Sequence, residues 1–131
     1  MPSLSQFLLV AAGGALGACA RFAVQHFSFF RTDKFYLTAI VNLAGCLLIG
    51  AVWSILNHID APKWVYNTAM AGFLGGFTTF SSFSLDAIQL FNQGRVWEAS
   101  AYILLSVAGG LAFCALGLWL ADRIIFSNSP L

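Results

Sequence analysis

The sequence GGFTTFSSF (residues 75–83) interrupts an apolar, charge-free segment with two glycines and four hydroxyl side chains placed among three phenylalanines. Glycine costs about 1 kcal/mol relative to alanine inside a helix, and serine and threonine are also poor helix formers. Two other glycine pairs, at 13–14 and 109–110, are not followed by such a run of hydroxyls. The stretch therefore predicts a helix that is broken partway along its length.

The segments around this stretch are long and apolar enough to cross a membrane. The chain is 60% hydrophobic and only 8% charged, whereas soluble domains carry about 25% charged residues. Four runs contain no Asp, Glu, Lys or Arg: 1–20, 35–59, 64–85 and 99–121. A crossing needs about 20 apolar residues, and backbone groups in lipid must be paired internally, which favours helices. We predict an all-α, single-domain membrane protein with its third helix broken near the midplane. The four predicted transmembrane helices span about 4–29, 35–58, 63–91 and 95–124.

The positive charges of the connecting segments divide almost evenly between the two membrane faces. Four crossings place Lys63 and Arg123 on one face, and Arg31, Lys34 and Arg95 on the other. Orientation follows the Lys/Arg asymmetry, which is nearly absent here. Two interpretations remain: a weakly specified single orientation, or a dual topology in which copies insert both ways and pair antiparallel.

A four-helix chain of this length has too little interior to line a pore alone, so we expect an oligomer. Symmetric dimers are the commonest closed assembly. Small residues suited to close helix contact occur at GxxxG spacing, at Gly13 and Gly17 and again at Gly72 and Gly76.

Two polar side chains fall inside apolar segments. Arg21 lies within the first helix, and a charge in a spanning segment is by default a functional hypothesis. It either extends its long stem to the headgroups or forms an electropositive vestibule that attracts an anion. Asn42 lies in the second helix, where it is either interhelical glue or a hydrogen bond donor to a permeant anion.

Two helical faces carry patterns that are compatible with an ion path. Phe80 and Phe83 share one face, and an aromatic ring has a positive edge that can meet a small anion. Core packing is the alternative interpretation of this pair. Neighbouring hydroxyls could replace lost water; they belong to Thr79, Ser81, Ser82 and Ser84. In the fourth helix Tyr102, Ser106 and Gly110 also share a face, as a hydroxyl track or as a bundle contact.

The remaining reactive residues do not suggest catalysis. Cys19, Cys46 and Cys114 form no CxxC motif, and their odd number argues against a disulfide framework. We interpret them as small apolar fillers. The sequence shows no nucleophile–His–acid arrangement, phosphate-binding glycine loop or paired metal ligands around its histidines. An enzyme is therefore not expected.

Three motifs together resemble the bacterial fluoride channels of the Fluc (CrcB-type) family, and the match runs along the whole chain. They are GGALGACAR at 13–21, NLAG at 42–45 and GFLGGFTTFSSFS at 72–84, of which the third is the most specific. Two positions depart from the family pattern. Phe22 stands where tyrosine is usual, and Asp86 stands where glutamate is common.

The resemblance implies an antiparallel, dual-topology homodimer with two pores in the inner (plasma) membrane of a bacterium. Phe80 and Phe83 would line the fluoride path with their ring edges, Asn42 would cap that aromatic region, and Arg21 would lie in the vestibule. Tyr102 and Ser106 match the family's hydroxyl track. The backbone carbonyls of Gly75 and Thr78, from both subunits, would hold a central structural sodium ion.

The implied activity is passive, fluoride-selective export from the cytoplasm. Hydrogen fluoride enters from acidic surroundings and ionises inside, and the trapped anion then leaves through the channel. The expected partners are fluoride, a second copy of the chain and membrane lipid, with no nucleic acid and no organic cofactor. Two other functions remain open: a small dual-topology multidrug exporter, which would need a membrane-embedded acid, and a non-transporting scaffold protein, which would need no pore.

Overall fold

The computed structural model describes residues 3–27 and 33–126, and within these residues it contains helices and no strands. This confirms the prediction of an all-α chain. The elements in chain order are α1 (Leu4–Phe27), α2 (Lys34–His58), α3 (Lys63–Asn67), the π-helix π1 (Thr68–Leu74), α4 (Gly75–Phe77), α5 (Phe80–Asn92) and α6 (Val96–Phe126).

The observed boundaries differ from the predicted ones by a few residues. Helix α2 begins one residue early, at Lys34, and α6 runs from Val96 to Phe126 instead of 95–124. The end of the first predicted helix, at 28–29, lies outside the described residues, as does Arg31. The third predicted helix, 63–91, is divided among α3, π1, α4 and α5.

Three described helices are long and apolar enough to cross a membrane by length and composition: Leu4–His26, Lys34–His58 and Val96–Ile125. The pieces of the third segment are each shorter than a single crossing, and only together do they reach from Lys63 to Asn92.

Helices α2 and α6 run parallel, which fixes the role of the segment between them. Asp33, just before α2, pairs with Arg95, just before α6. Near the other end, the Ser54 hydroxyl donates to the Asp122 carboxylate. Because both helices start at the same end, the chain must return through the thickness of the bundle between them. The segment 63–92 makes this return, which fits four crossings.

The GxxxG glycines predicted to favour helix contact make that contact within the chain, where α1 packs on π1 and α4. A Cβ added at Gly13 would lie 2.6 Å from the Thr68 carbonyl oxygen, and one at Gly72 would lie 2.9 Å from the Val10 carbonyl oxygen. A Cβ at Gly17 would lie 2.8 Å from the Phe77 amide nitrogen. The backbones touch here, and no larger residue would fit without moving a helix.

Candidate functional site

The helical backbone of the third segment stops at Phe77 and resumes at Phe80. Thr78 (φ −80°, ψ 158°) and Thr79 (φ −149°, ψ 115°) are both extended. The amide and the hydroxyl of Thr78 each donate to the Leu74 carbonyl oxygen at 3.0 Å, which closes the preceding turn. The Thr79 hydroxyl accepts from the Ser82 amide at 3.2 Å as the N-cap of α5. Each threonine therefore satisfies one of the two helix ends that the interruption creates.

Helix α2 supports the interruption through Asn42 and Gly45. The Asn42 side-chain amide donates to the Thr79 carbonyl oxygen at 2.9 Å, and the Thr79 amide donates to Asn42 Oδ1 at 2.7 Å. A Cβ at Gly45 would overlap the Thr78 methyl group. Asn42 thus makes the interhelical contact that was one of its two interpretations. Its amide has a second N–H, and it also lines a cleft, so the second interpretation stays compatible.

The interruption also leaves carbonyl oxygens available. Arg21 Nε donates to the Gly76 carbonyl oxygen at 3.3 Å. In the part of the chain that the structure describes, the hydrogen bonds crossing the interruption provide no donor for the carbonyl oxygens of Gly75 and Thr78. Unwound backbone carbonyls of this kind coordinate sodium in membrane proteins. Among the described residues, no cluster of three or more His, Cys, Asp or Glu side chains is placed to hold a metal ion.

A cleft of about 460 Å³ lies beside the interruption, between α2, α5 and α6. None of its lining residues carries a charged side chain. They are Asn42, Gly45, Cys46, Ile49, Thr78, Thr79, Phe80, Phe83, Ser106, Val107, Gly110, Leu111 and Cys114. The cleft therefore offers amide, hydroxyl, thiol and aromatic groups in otherwise apolar surroundings.

Aromatic side chains form a continuous row along this region. The ring centroids of Phe80 and Phe83 are 5.6 Å apart at 45°, and those of Phe83 and Tyr102 are 5.2 Å apart at 47°. Phe35 meets Tyr102 edge-on at 5.4 Å and 75°. Phe80 remains 78% exposed, whereas Tyr102 is 6% exposed. The row thus leads from an open end at Phe80 to a packed end at Tyr102.

The predicted hydroxyl residues are only partly brought together. Ser106 lines the cleft, whereas Ser81 and Ser84 are not among its lining residues. The Ser84 hydroxyl donates to the Phe80 carbonyl oxygen at 2.9 Å. The Tyr102 hydroxyl lies 3.5 Å from Asp86 Oδ2, at the limit of a hydrogen bond. Arg21 also lies outside the cleft lining, at the Gly76 carbonyl on the α1 side.

A polar pocket of about 170 Å³ lies at the Tyr102 end of the row. Its charged lining residues are Asp33, Lys34, Asp86 and Arg95. Arg95 donates to Asp33 at 2.8 Å and, through Nε, to Glu98 at 2.8 Å. These carboxylates raise the pKa of the Arg95 guanidinium further above its ordinary value. The loop before α6 is thereby tied to the start of α2.

The cleft is also lined by residues to which no functional role was assigned from the sequence. Gly45, Cys46 and Cys114 line it, although the cysteines were interpreted as fillers. A signal was present in the spacing. Cys46 stands four residues after Asn42, and Cys114 extends the spacing of Ser106 and Gly110 by another four residues. Extending each face by one turn would have found both thiols.

Comparison with known proteins gives a consistent result. Residues 8–118 match the model of the family described as CrcB-like protein, Camphor Resistance (CrcB). A protein of Desulfotalea psychrophila named fluoride-specific ion channel FluC is 36% identical over 95% of this chain and 98% of its own length. Proteins of the same name from Bordetella petrii and Azotobacter vinelandii are 44% and 47% identical. These two alignments cover 86% and 79% of this chain, and 88% and 86% of the relatives.

Proposed function

This chain belongs to the CrcB-like protein family, as the sequence motifs indicated, and we propose that it is a fluoride-specific ion channel that lets cytoplasmic fluoride leave the cell passively. The observation that carries the proposal is the uncharged cleft that Phe80 and Phe83 line, directly after the interruption at Thr78 and Thr79. The relatives are named as ion channels, a class without catalytic turnover, and the chain is accordingly not an enzyme.

The lining of the cleft suits an anion that must enter without its water and still leave. Fluoride would exchange water for the free N–H of Asn42, the Ser106 hydroxyl and the positive ring edges of Phe80 and Phe83. Conduction requires binding that is favourable enough for entry and weak enough for release. Because no charged side chain lines the cleft, no strong fixed charge would trap the ion.

The two ends of the path would use different groups. Arg21 carries positive charge close to the interruption, on the α1 side, where it would attract an anion into a vestibule. At the other end, Tyr102 lies between the aromatic row and the polar pocket that contains Asp86 and Arg95, and the path would continue past it into that pocket. In this proposal Thr79, Ser81 and Ser84 act mainly by shaping the first turn of α5, on which both phenylalanines stand.

The assembly in this proposal is an antiparallel homodimer with two pores in a bacterial inner membrane. Phe80 is 78% exposed at the open end of the cleft, and a second copy would close that side. The near-balance of Lys and Arg between the two faces supports dual topology. A sodium ion would be held by the Gly75 and Thr78 carbonyl oxygens of both copies, and when bound it would supply the positive charge that pairs with these oxygens.

Fluoride efflux from liposomes tests the proposal. Vesicles that contain the purified protein and are loaded with either fluoride or chloride should release fluoride and retain chloride. Proton-coupled uptake of an organic cation without fluoride efflux would instead indicate a multidrug exporter, and no flux of either kind would indicate a scaffold protein.

Topology needs a separate measurement. A protease-cleavable tag at the C-terminus should be cut by external protease in about half of the molecules in sealed inner-membrane vesicles, because copies insert both ways. Complete cleavage or complete protection would remove the dual-topology proposal and leave fluoride transport to be judged by flux.

A further inference from the structure

The cleft contains two thiols, supplied by two different helices. Cys46 on α2 and Cys114 on α6 both line it, whereas Cys19 is exposed on α1 and lies outside the lining. All three thiols are free. Two thiols that line the same cleft differ chemically from isolated fillers, because they can act on the same ligand.

The packing of α2 against α6 sets the spacing of the two thiols. A Cβ added at Gly110, one turn before Cys114, would lie 3.3 Å from Cys46 Sγ. Gly50, one turn after Cys46, packs directly against the Cys114 backbone. The thiols are therefore offset by about one turn, roughly 5.4 Å along the helix axes. A disulfide needs Cβ atoms about 3.5–4.5 Å apart, so the offset disfavours a direct sulfur–sulfur bond.

We propose that Cys46 and Cys114 form a two-thiolate site for a soft divalent metal ion of the mercuric type, inside the cleft. Thiolates select soft metal ions. Two metal–thiolate bonds of about 2.3 Å, the length found at zinc sites, place the two sulfur atoms about 4.6 Å apart when the ligands are collinear. Small rotations of the two side chains would bring the thiols from their offset of about one turn to this separation.

Charge balance favours a divalent ion. Two thiols bind Hg²⁺ and release two protons to water, which leaves a neutral bis-thiolate complex. A neutral complex avoids the cost of leaving a net charge in an apolar cleft at membrane depth. Zinc ordinarily requires four protein ligands or three with a water, and the described lining of the cleft contains no His, Asp or Glu to complete its shell. The site therefore favours a metal ion that two thiolates can satisfy over zinc, which needs four ligands.

Metal titration in nanodiscs tests the site independently of transport. With Cys19→Ser as the background, HgCl₂ should bind with one ion per chain, show the ultraviolet absorption of a bis-thiolate complex and resist an excess of Zn²⁺. Adding Cys46→Ser or Cys114→Ser should weaken retention against competing glutathione by about tenfold or more, equivalent to about 1.4 kcal/mol. The matched control is Cys46→Ser with Cys114→Ser and Cys19 intact, which should lack the bis-thiolate absorption. Two ions per chain in the background protein, or unchanged retention in the single variants, would overturn the site.

Flux gives a second readout, and this part rests on the proposed function. Both thiols line the same cleft as Phe80 and Phe83, so HgCl₂ bound there should block fluoride efflux in the Cys19→Ser protein, and a dithiol chelator should restore it. Each variant is compared with itself, with and without mercury. Binding that leaves efflux unchanged would refute obstruction of the path. Absence of efflux before mercury is added would count against the channel function, and the titration would still decide the metal site.

Discussion

Replacing Asn42 by alanine should destabilise the protein strongly, because one side chain satisfies both backbone groups of Thr79. The substitution removes the 2.9 Å bond to the Thr79 carbonyl oxygen and the 2.7 Å bond from the Thr79 amide. Leaving a buried backbone group unpaired costs about 1–3 kcal/mol. Thr79 is only partly buried, so water offsets part of this cost, and the expected loss for the two groups is about 2 kcal/mol.

Unfolding in mixed micelles by SDS titration, followed by tryptophan fluorescence, measures this loss. Asn57→Ala is the matched control. Asn57 lies on the same helix, is exposed, and donates only to the Trp53 carbonyl oxygen of its own helix, so its removal should cost much less. The same Asn42 variant should also lose fluoride efflux, since the extended conformation of Thr79 depends on the side chain. Equal stability losses in the two variants would refute the role of Asn42 as a clamp.

Three further predictions follow from individual contacts. Phe83→Ile should lower fluoride efflux about tenfold, equivalent to roughly 1.4 kcal/mol of ring-edge stabilisation, while Phe91→Ile on the same helix should not; equal rates in both would contradict the ring-edge role. Gly17→Ala should cost about 1–3 kcal/mol in the SDS titration, since its Cβ would lie 2.8 Å from a backbone nitrogen of the adjacent helix. Gly14→Ala, whose nearest atom lies at 3.8 Å, should be neutral, and a comparable loss in both would argue against close backbone packing. Arg95→Gln should leave the unfolding midpoint nearly unchanged, with any difference disappearing in high salt, because its ion pairs are exposed.

The sequence predicted well what depends on composition and local backbone preference. Charge-free runs located the helices to within a few residues, and the run of hydroxyls at 78–84 marked the place where the structure has two extended residues. Residue chemistry explains this success, because threonine can close one helix and cap the next. The dimer, the sodium ion and the position of the interruption relative to a membrane stay predictions.

Contacts between distant residues were beyond what the sequence could predict. The spacing of Gly13, Gly17, Gly72 and Gly76 indicated close helix contact, and the structure places that contact inside the chain. The pair of hydrogen bonds between the Asn42 side chain and the Thr79 backbone depends on how α2 and the third segment are rotated relative to each other. No local sequence pattern encodes that rotation. Tyr102 packs between Phe35 and Phe83, which fits the bundle contact that was one of its two interpretations, and its place in a hydroxyl track stays a prediction.

The π-helix from Thr68 to Leu74 determines the direction in which everything after it points. Wider winding absorbs about one extra residue compared with ordinary α-helix, which corresponds to roughly 100° of rotation. Deleting a single residue there would permit regular winding from Lys63 to Phe77, yet it would swing Thr79 away from its partner on α2 and turn Phe80 off the cleft. The π-helix thus sets the rotation of the helices that follow it in the third segment. Inserting or deleting one residue within it would be more damaging than most substitutions.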